Sequence, residues 1–301
     1  MNGVDNNLII NIGPGEAGCT VENLLRKKRG FSRALVRGLK TRGQVLVNGV
    51  RVYMRDKVKA GDVLTVCFPK DDSTELEPEN IPLEILYEDA DVLVLNKPAG
   101  MLVHPVRHEQ HGTLANAVLF HWQHKGVKAR FRPVYRIDRN TSGIVLVAGN
   151  SYAAQQLARQ LDTGVLRRRY LAVAEGTPPR RRGTIDLPLA LKPGSAARWT
   201  VDPGGKQAVT HFQLISKLMG ASLLCLELET GRTHQIRVHM SHIGCPLVGD
   251  EQYGGDTERL GRQALHAATI DFCHPRTGVP VRINCPLPAD MRGLIKSLSI
   301  N

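Results

Sequence analysis

Two polar segments of the chain carry the side chains best suited to catalysis. Residues 135–143 read Tyr-Arg-Ile-Asp-Arg-Asn-Thr-Ser-Gly and set the carboxylate of Asp138 among turn-forming residues. Residues 230–240 read Thr-Gly-Arg-Thr-His-Gln-Ile-Arg-Val-His-Met and supply many cationic and hydrogen-bonding groups, Arg237 among them. On residue types alone, an Asp before Asn-Thr-Ser-Gly more often forms a turn or a cap, and an Arg of this kind more often pairs with a surface acid.

Length and charge point to the class of partner. The chain has 301 residues, 42% of them hydrophobic, which is enough for a sizeable core and predicts two domains. Its formal net charge of +12 favours a polyanion such as RNA, because Lys and Arg release counterions when they neutralise phosphates. A merely basic, solvated surface is the alternative.

The compartment is predicted from cysteines and apolar runs. Six cysteines are scattered without a closely spaced pair, which is typical of reduced thiols in a cytoplasmic protein. We identify no signal peptide, and no apolar run approaches the roughly 20 residues of a membrane helix. The sequence therefore predicts a cytoplasmic protein without a membrane partner.

The charges are divided along the chain in a way that predicts domain boundaries. Residues 1–68 hold 12 Lys or Arg against 5 Asp or Glu, whereas residues 69–92 hold one Lys against 9 acids. The acidic, apolar-poor stretch is typical of a solvated linker. We predict a small domain at 1–68, an acidic linker at 69–82 and a large domain at 83–301.

The small domain has the pattern of a compact α+β unit. Thr20 is expected to cap a helix from Val21 to Arg29, and Ser32 a second helix that ends near Gly43. Strands are predicted at 44–47 and 62–68, and Asn48-Gly49 predicts a hairpin. One face of the second helix is cationic and consists of Arg33, Arg37 and Lys40. The pattern resembles an S4-type RNA-binding domain, which would dock RNA on this face, although a solvated face is the alternative.

The large domain mixes strands and helices without regular alternation. Strands are predicted at 83–87, 92–96, 144–148, 169–175, 209–216 and 223–229, and helices at 113–122, 152–161 and 234–243. This order predicts an α+β domain around a mostly antiparallel sheet flanked by helices. We find no glycine-rich phosphate loop.

The two polar segments, taken in order, resemble the signature motifs of the RluA-type pseudouridine synthases. The resemblance spans about residues 83–295 and implies the fold of that family and the isomerisation of uridine in RNA. Two positions of the first motif differ, since Tyr135 stands where the family has His and Ile137 where it has Leu. By analogy with members that carry an S4-type domain, the implied substrate is ribosomal RNA, most of all that of the large subunit.

The resemblance implies a set of roles at the site. Asp138 would be the catalytic carboxylate, either as nucleophile towards the sugar or as base, with Arg237 keeping it ionised. Tyr170 would stack on the flipped base, and Arg136 would fill the space that the base leaves. Other substrate contacts would come from Thr141, Arg232, His234 and Gln235. The reaction conserves atoms and oxidation state, so no cofactor or metal is predicted, and we expect a monomer.

Alternatives follow from the same residues. A non-catalytic RNA-binding factor could keep the fold, and a nucleoside hydrolase or glycosidase could use Asp138 if a second acid were suitably placed. Two histidine sets could bind zinc if they converged, but neither has a metalloprotease spacing. These sets are His104, His108 and His111, and His234, His239 and His242. The arginine runs 167–169 and 180–182 are phosphate contacts or solvated loops.

Overall fold

The structure, a computed structural model, describes residues 7–68, 76–195 and 197–299. Residues 7–68 form a small unit around a four-stranded antiparallel sheet of strand order β1-β4-β2-β3. Its elements are β1 (Asn7–Asn11), α1 (Val21–Asn23), a π-helical turn (Leu24–Lys28), α2 (Arg33–Thr41), β2 (Gln44–Val47), β3 (Val50–Val52) and β4 (Val63–Cys67).

The local signals of the small unit work as expected, with two differences. The Ser32 hydroxyl accepts the Leu35 N–H at 3.1 Å and caps α2, and Asn48 and Gly49 both take positive φ in the β2–β3 hairpin. The predicted helix from Val21 to Arg29 is instead a single α turn that continues as the π-helical turn. Strand β1 was not predicted, because its partner is β4, which lies far along the chain, and such pairing leaves no local signal.

The large unit is built on one nine-stranded sheet. Its order is β5-β6-β7-β14-β8-β13-β12-β9, with β15 added beside β14. Of the ladders described, only the short β7–β14 contact is parallel, which confirms a mostly antiparallel α+β domain. The strands are β5 (Glu84–Glu88), β6 (Val92–Lys97), β7 (Ser142–Ala148), β8 (Arg167–Glu175), β9 (Arg182–Asp186), β10 (Leu189–Leu191), β11 (Trp199–Val201), β12 (Val209–Leu218), β13 (Ala221–Leu228), β14 (Leu265–Cys273) and β15 (Pro280–Asn284); the helices are α3 (Leu114–His124), α4 (Ser151–Asp162), α5 (Gln235–His242) and α6 (Ala289–Leu298).

Glycine at one position allows the two halves of this sheet to meet. Gly143 opens β7 with φ of +107°, and a Cβ atom there would lie 2.3 Å from the Ala267 carbonyl oxygen of β14. Only glycine fits such an approach. The last two residues of the first motif therefore serve the parallel β7–β14 contact, which fixes the chain just after Asp138.

The small unit packs directly against the large one. Tyr152 of α4 stacks with Phe31 and Phe68 in the apolar core of the small unit. The Gln155 side chain donates to the Gly30 carbonyl and accepts from the Ser32 N–H. These contacts tie the start of α2 to a helix of the large unit.

The predicted linker falls partly outside the described residues, since 69–75 are not among them. Its described part contacts the large unit: Asn116 of α3 donates to the Glu77 carbonyl, and the Glu79 carboxylate accepts the Gly112 N–H. The division into domains remains a prediction. Among the described helices, none is both long and apolar enough to span a membrane.

Candidate active site

A cleft of about 850 Å³ opens where the two polar segments meet. Its size is in the range of ordinary ligand sites. The predicted site residues of the large unit all line it: Arg136, Asp138, Thr141, Tyr170, Arg232, His234, Gln235 and Arg237. The basic residues predicted on α2, namely Arg33, Arg37 and Lys40, lie elsewhere, exposed on the small unit.

Asp138 and Arg237 form an ion pair in this cleft. The Arg237 Nη1 lies 3.2 Å from Asp138 Oδ2, and the side chains are 8% and 24% exposed, respectively. The rest of the guanidinium is held by Asp250, through two bonds of 2.8 Å, and by Gln252 at 3.0 Å. Arg237 is thus fixed from behind, while Asp138 keeps carboxylate surface open to the cleft.

The ring of Tyr253 completes the support of Arg237. Its centroid lies 4.9 Å from the guanidinium carbon, and its hydroxyl accepts the Trp199 N–H at 3.0 Å. The sequence motifs led to Arg237 but gave no role to Asp250, Gln252 or Tyr253. The available signal was a polar residue run bounded by Gly249 and Gly254, directly downstream of α5.

The loop that carries Asp138 is fixed by its own carbonyl groups. The Asp138 carbonyl accepts the Thr141 N–H at 3.1 Å, and the Asn140 carbonyl accepts Arg262 at the same distance. The Arg139 carbonyl accepts the Gly100 N–H and the Lys97 ammonium. Because these three backbone carbonyls are all hydrogen-bonded, the loop has a fixed path, and this fixes the position from which the Asp138 side chain projects.

Lys97 is a buried amine behind this loop, and no pattern in the sequence indicated a role for it. Its Nζ donates to the carbonyls of Pro98, Met101 and Arg139 at 2.7 to 2.9 Å, one acceptor for each ammonium proton. Burial lowers the pKa of Lys97 to about 7, while the charge of Asp138 acts in the opposite direction. Its position joins the end of β6 to the loop that carries Asp138.

Gln235 has a different task from the predicted substrate contact. Its amide nitrogen donates to the Val209 carbonyl and the Thr210 hydroxyl, and its amide oxygen accepts from Thr230 and from the Arg232 N–H. All four hydrogen-bonding positions of the amide are therefore used within the protein. Gln235 anchors the start of α5 and has no free group for a substrate.

His234 precedes α5 in the left-handed region, with φ of 56°. Its Nδ1 lies 2.9 Å from the Tyr253 hydroxyl, which also accepts the Trp199 N–H at 3.0 Å, so the imidazole is held on its Nδ1 side. Burial is the main cause that lowers the pKa of His234, with Asp138 opposing it.

Tyr170 lies buried in β8 and lines the cleft. Burial raises the pKa of its phenol, so the side chain is neutral at physiological pH. Tyr135, which stands in place of the motif histidine, is also buried and donates to the Ile144 carbonyl at 3.2 Å. The substitution therefore replaces an imidazole by a phenol that bonds to β7.

The remaining predicted contacts differ in exposure. Arg136 is exposed, and Arg232 is exposed with its Nε bonded to the Gln207 carbonyl at 2.9 Å. Thr141 is buried, and its hydroxyl accepts from Gln263 at 3.3 Å. It faces the cleft only through a small part of its surface.

The arginine run at 167–169 does not act as a phosphate patch. Arg168 is buried, and Arg169 pairs with Glu227 and Asp271. That interpretation was wrong for these two residues, because the alternation of β8 turns successive side chains to opposite faces. The run at 180–182 is exposed, as a phosphate contact requires.

One cluster of the described residues has ligand atoms close enough for a metal: Asp89, Asp91 and His274. Its acceptors are already bonded, since Arg276 holds Asp91 and both Tyr87 and His274 contact Asp89. Neither of the histidine sets considered from the sequence forms a cluster of this kind among the described residues.

Comparisons with known proteins agree with this fold. A family model described as RNA pseudouridylate synthase matches residues 91–242, half of the chain. A second, described as the RluD ribosomal pseudouridine synthase N-terminal domain, matches residues 8–64. The chain belongs to the RNA pseudouridylate synthase family, and the protein is therefore an isomerase that acts on RNA.

Individual relatives cover almost the whole chain. An uncharacterized RNA pseudouridine synthase of Bacillus subtilis, YjbO, is 44% identical over 89% of this chain and 95% of its own length. The ribosomal large subunit pseudouridine synthase D of Xanthomonas campestris is 38% identical over 89% of this chain and 85% of its own. The solved structure of human RNA pseudouridylate synthase domain containing 1 has 26% identity and a TM-score of 0.59, and covers 76% of this chain and 91% of its own. Membership confirms the enzyme over the non-catalytic and hydrolase alternatives.

Proposed function

We propose that this enzyme converts uridine to pseudouridine in large-subunit ribosomal RNA, with Asp138 as the catalytic carboxylate. The substrate class is supported by relatives named ribosomal large subunit pseudouridine synthase D, among them those of Xanthomonas campestris and Pasteurella multocida. The observation that carries the catalytic assignment is the pair of Asp138 with Arg237, because it holds a partly exposed carboxylate at the open side of the cleft.

The chemistry needs such a carboxylate close to the sugar. The bond between base nitrogen N1 and sugar carbon C1′ must break, and carbon C5 of the base must then bond to C1′. A carboxylate can attack C1′ or remove a proton nearby, and either role requires the ionised form. The Arg237 guanidinium, which Asp250 already holds, pairs with Asp138 without covering its carboxylate.

A uridine within folded RNA must leave its stack to reach this carboxylate. We propose that the flipped base lies against the ring of Tyr170, which is buried at the cleft wall. The exposed Arg136 is positioned at the rim, where its planar group can take the place of the base in the RNA. His234 would contact the flanking nucleotide through the ring nitrogen that is not bonded to Tyr253, and Arg232 through its charge.

The small unit would bind the RNA outside the cleft. Arg33, Arg37 and Lys40 project from α2 into solvent as one basic face. Lys40 also borders a groove of about 790 Å³ between α1 and the β2–β3 hairpin, where its amine pairs with Glu22 at 2.8 Å. Further groove residues are Arg26, Arg51, Arg55 and Tyr53, and the Tyr53 ring is 63% exposed beneath Arg55. Exposed aromatic rings among cations are suited to unpaired bases.

The substrate is tested with three unmodified RNAs. The purified protein is incubated with large-subunit ribosomal RNA, small-subunit ribosomal RNA and transfer RNA, and pseudouridines are mapped in each. We expect new pseudouridine only in the large-subunit RNA, and none when Asp138 is changed to Asn. Modification of transfer RNA alone would contradict the substrate assignment. Two further properties remain predictions. We expect the protein to be a monomer, which sedimentation would test, and to be located in the cytoplasm.

A further inference from the structure

Arg168 is a buried cation of the cleft to which no role has been given above. It is 4% exposed and lines the cleft together with Tyr170. The two residues are separated by one position in β8, and side chains at i and i+2 of a strand point to the same face. A base that stacks on Tyr170 therefore comes within reach of the Arg168 guanidinium.

The hydrogen bonds of Arg168 are incomplete. Its Nη2 donates to the Thr230 carbonyl at 3.3 Å, and its Nε is buried without a hydrogen-bond partner. Among the described residues no carboxylate pairs with it, and its guanidinium carbon lies 5.1 Å from the centroid of the Tyr135 ring. An arginine with five donors is costly to bury in this state. Because Nε is enclosed by protein, an acceptor in the cleft would meet the Nη groups, of which Nη2 makes the one long bond to Thr230.

Arg237 differs from Arg168 in its charge balance. It contacts two carboxylates, those of Asp138 and Asp250, so the three groups together carry one negative charge. Arg168 is then the buried positive charge that the cleft keeps free for a ligand. Gly231 leaves it room, since a Cβ at that position would lie 3.3 Å from Arg168 Nη1.

The isomerisation creates a negative charge that such a cation can stabilise. When the N1–C1′ bond breaks, the electron pair stays on the base and gives a uracil anion whose charge is shared with oxygens O2 and O4. The Asp138 carboxylate balances the positive charge left on C1′, either as a covalent ester or as an ion pair. The electron pair of the base anion then forms the C5–C1′ bond as the carboxylate leaves C1′, and the C5 proton moves to N1, so that atoms, electrons and charge balance without a co-reactant.

We propose that Arg168 binds a carbonyl oxygen of the flipped uracil and stabilises the anion formed on glycosidic cleavage. This inference rests on the proposed function, in which the base lies against Tyr170 beside Asp138. Preorganised donors act most strongly where charge develops in a dry site, and the removal of one typically costs about 10²–10³-fold in rate. Contact at O4 would also favour uracil over cytosine, because cytosine has an amine donor in place of O4; contact at O2 would not distinguish the two bases.

The test compares two substrates that differ in the stability of the leaving anion. One target RNA carries uridine and the other 5-fluorouridine at the modified position. The rate at which the N1–C1′ bond of that nucleotide breaks is measured under single-turnover conditions. Fluorine withdraws electrons from the ring and stabilises the anion without the help of the protein. The variants are Arg168→Met, Arg168→Lys, which keeps the charge, and Gly231→Ala, whose Cβ crowds Arg168 Nη1 while the arginine stays intact.

We expect Arg168→Met to lose about 10²-fold on uridine and clearly less on 5-fluorouridine, with RNA affinity unchanged. Arg168→Lys should keep the wild-type ratio of the two rates, and Gly231→Ala should change that ratio in the same direction as Arg168→Met. If Arg168→Met does not fold, the rate ratio of Gly231→Ala tests the proposal in its place. Equal losses on both substrates, or a loss confined to RNA affinity, would overturn the proposal. Activity in an Asp138→Ala enzyme would instead overturn the proposed function itself.

Discussion

Asp250 offers the most informative perturbation of the site, because it never needs to touch the RNA. Its carboxylate is 1% exposed and binds Arg237 through Nε and Nη2, both at 2.8 Å. The change Asp250→Asn keeps the size of the side chain. It removes the charge and turns one acceptor into a donor that faces an arginine N–H.

The expected magnitude follows from this burial. Removal of one partner from a buried ion pair costs about 3–5 kcal/mol of stability. Asp138 and Gln252 still contact Arg237, so we expect the lower end, about 3 kcal/mol. The freed guanidinium then pairs more closely with Asp138 and draws the carboxylate from its position, and an error of this kind lowers the rate by about 10²-fold.

Two measurements on the folded protein separate these effects. Urea unfolding gives the free energy of unfolding, and single-turnover pseudouridine formation gives the rate. Asp91→Asn is the matched control, since Asp91 is equally buried and holds Arg276 through Nε and Nη2, but lies outside the cleft. It should lose comparable stability and keep its rate. A full rate in Asp250→Asn, or an equal loss of rate in Asp91→Asn, would refute the reasoning.

Three further predictions concern the base, pH and RNA docking. Tyr170→Phe should keep the affinity for the target RNA, whereas Tyr170→Ala should weaken RNA binding by about 1–3 kcal/mol because stacking is lost. Equal affinities of the two variants would contradict a stacked base. Burial lowers the pKa of His266 to about 4 from its ordinary value of 6.5, so the unfolded chain takes up the proton first and stability falls as pH falls from 6.5 towards 4. Urea unfolding should show that the free energy of unfolding falls by about 2 kcal/mol between pH 7 and 5, and that it does not fall in this way in His266→Gln. The same pH dependence in that variant would exclude His266 as its source. Arg51→Gln and Arg55→Gln should each reduce the slope of log affinity against log salt by about 1, while an unchanged slope would place the RNA elsewhere.

Local signals in the sequence were sufficient for much of the fold. The Ser32 cap and the Asn48-Gly49 hairpin depend on residues close in the chain, so they could be predicted and are confirmed. Strand β14 was missed, although it lies between β7 and β8 at the centre of the sheet. Its place depends on pairing with segments roughly a hundred residues away, which no local periodicity reports.

The site shows the same division. The meeting of Asp138 with Arg237 was predicted from the motifs, and the two side chains form an ion pair. The support of Arg237 by Asp250 could not be predicted, because that carboxylate comes from an irregular loop whose path is set by tertiary packing. The saturation of the Gln235 amide and the inward direction of Arg168 likewise depend on contacts across the sheet, not on residue type.

The central claim is that one ionised carboxylate at the open side of the cleft performs the isomerisation. The most direct measurement is single-turnover pseudouridine formation by Asp138→Ala on a target RNA that the intact protein modifies. Arg237 stays paired with Asp250 in this variant, so the fold and the affinity for RNA should be kept. We predict binding without any pseudouridine above background. Product formed at the wild-type rate would contradict the account.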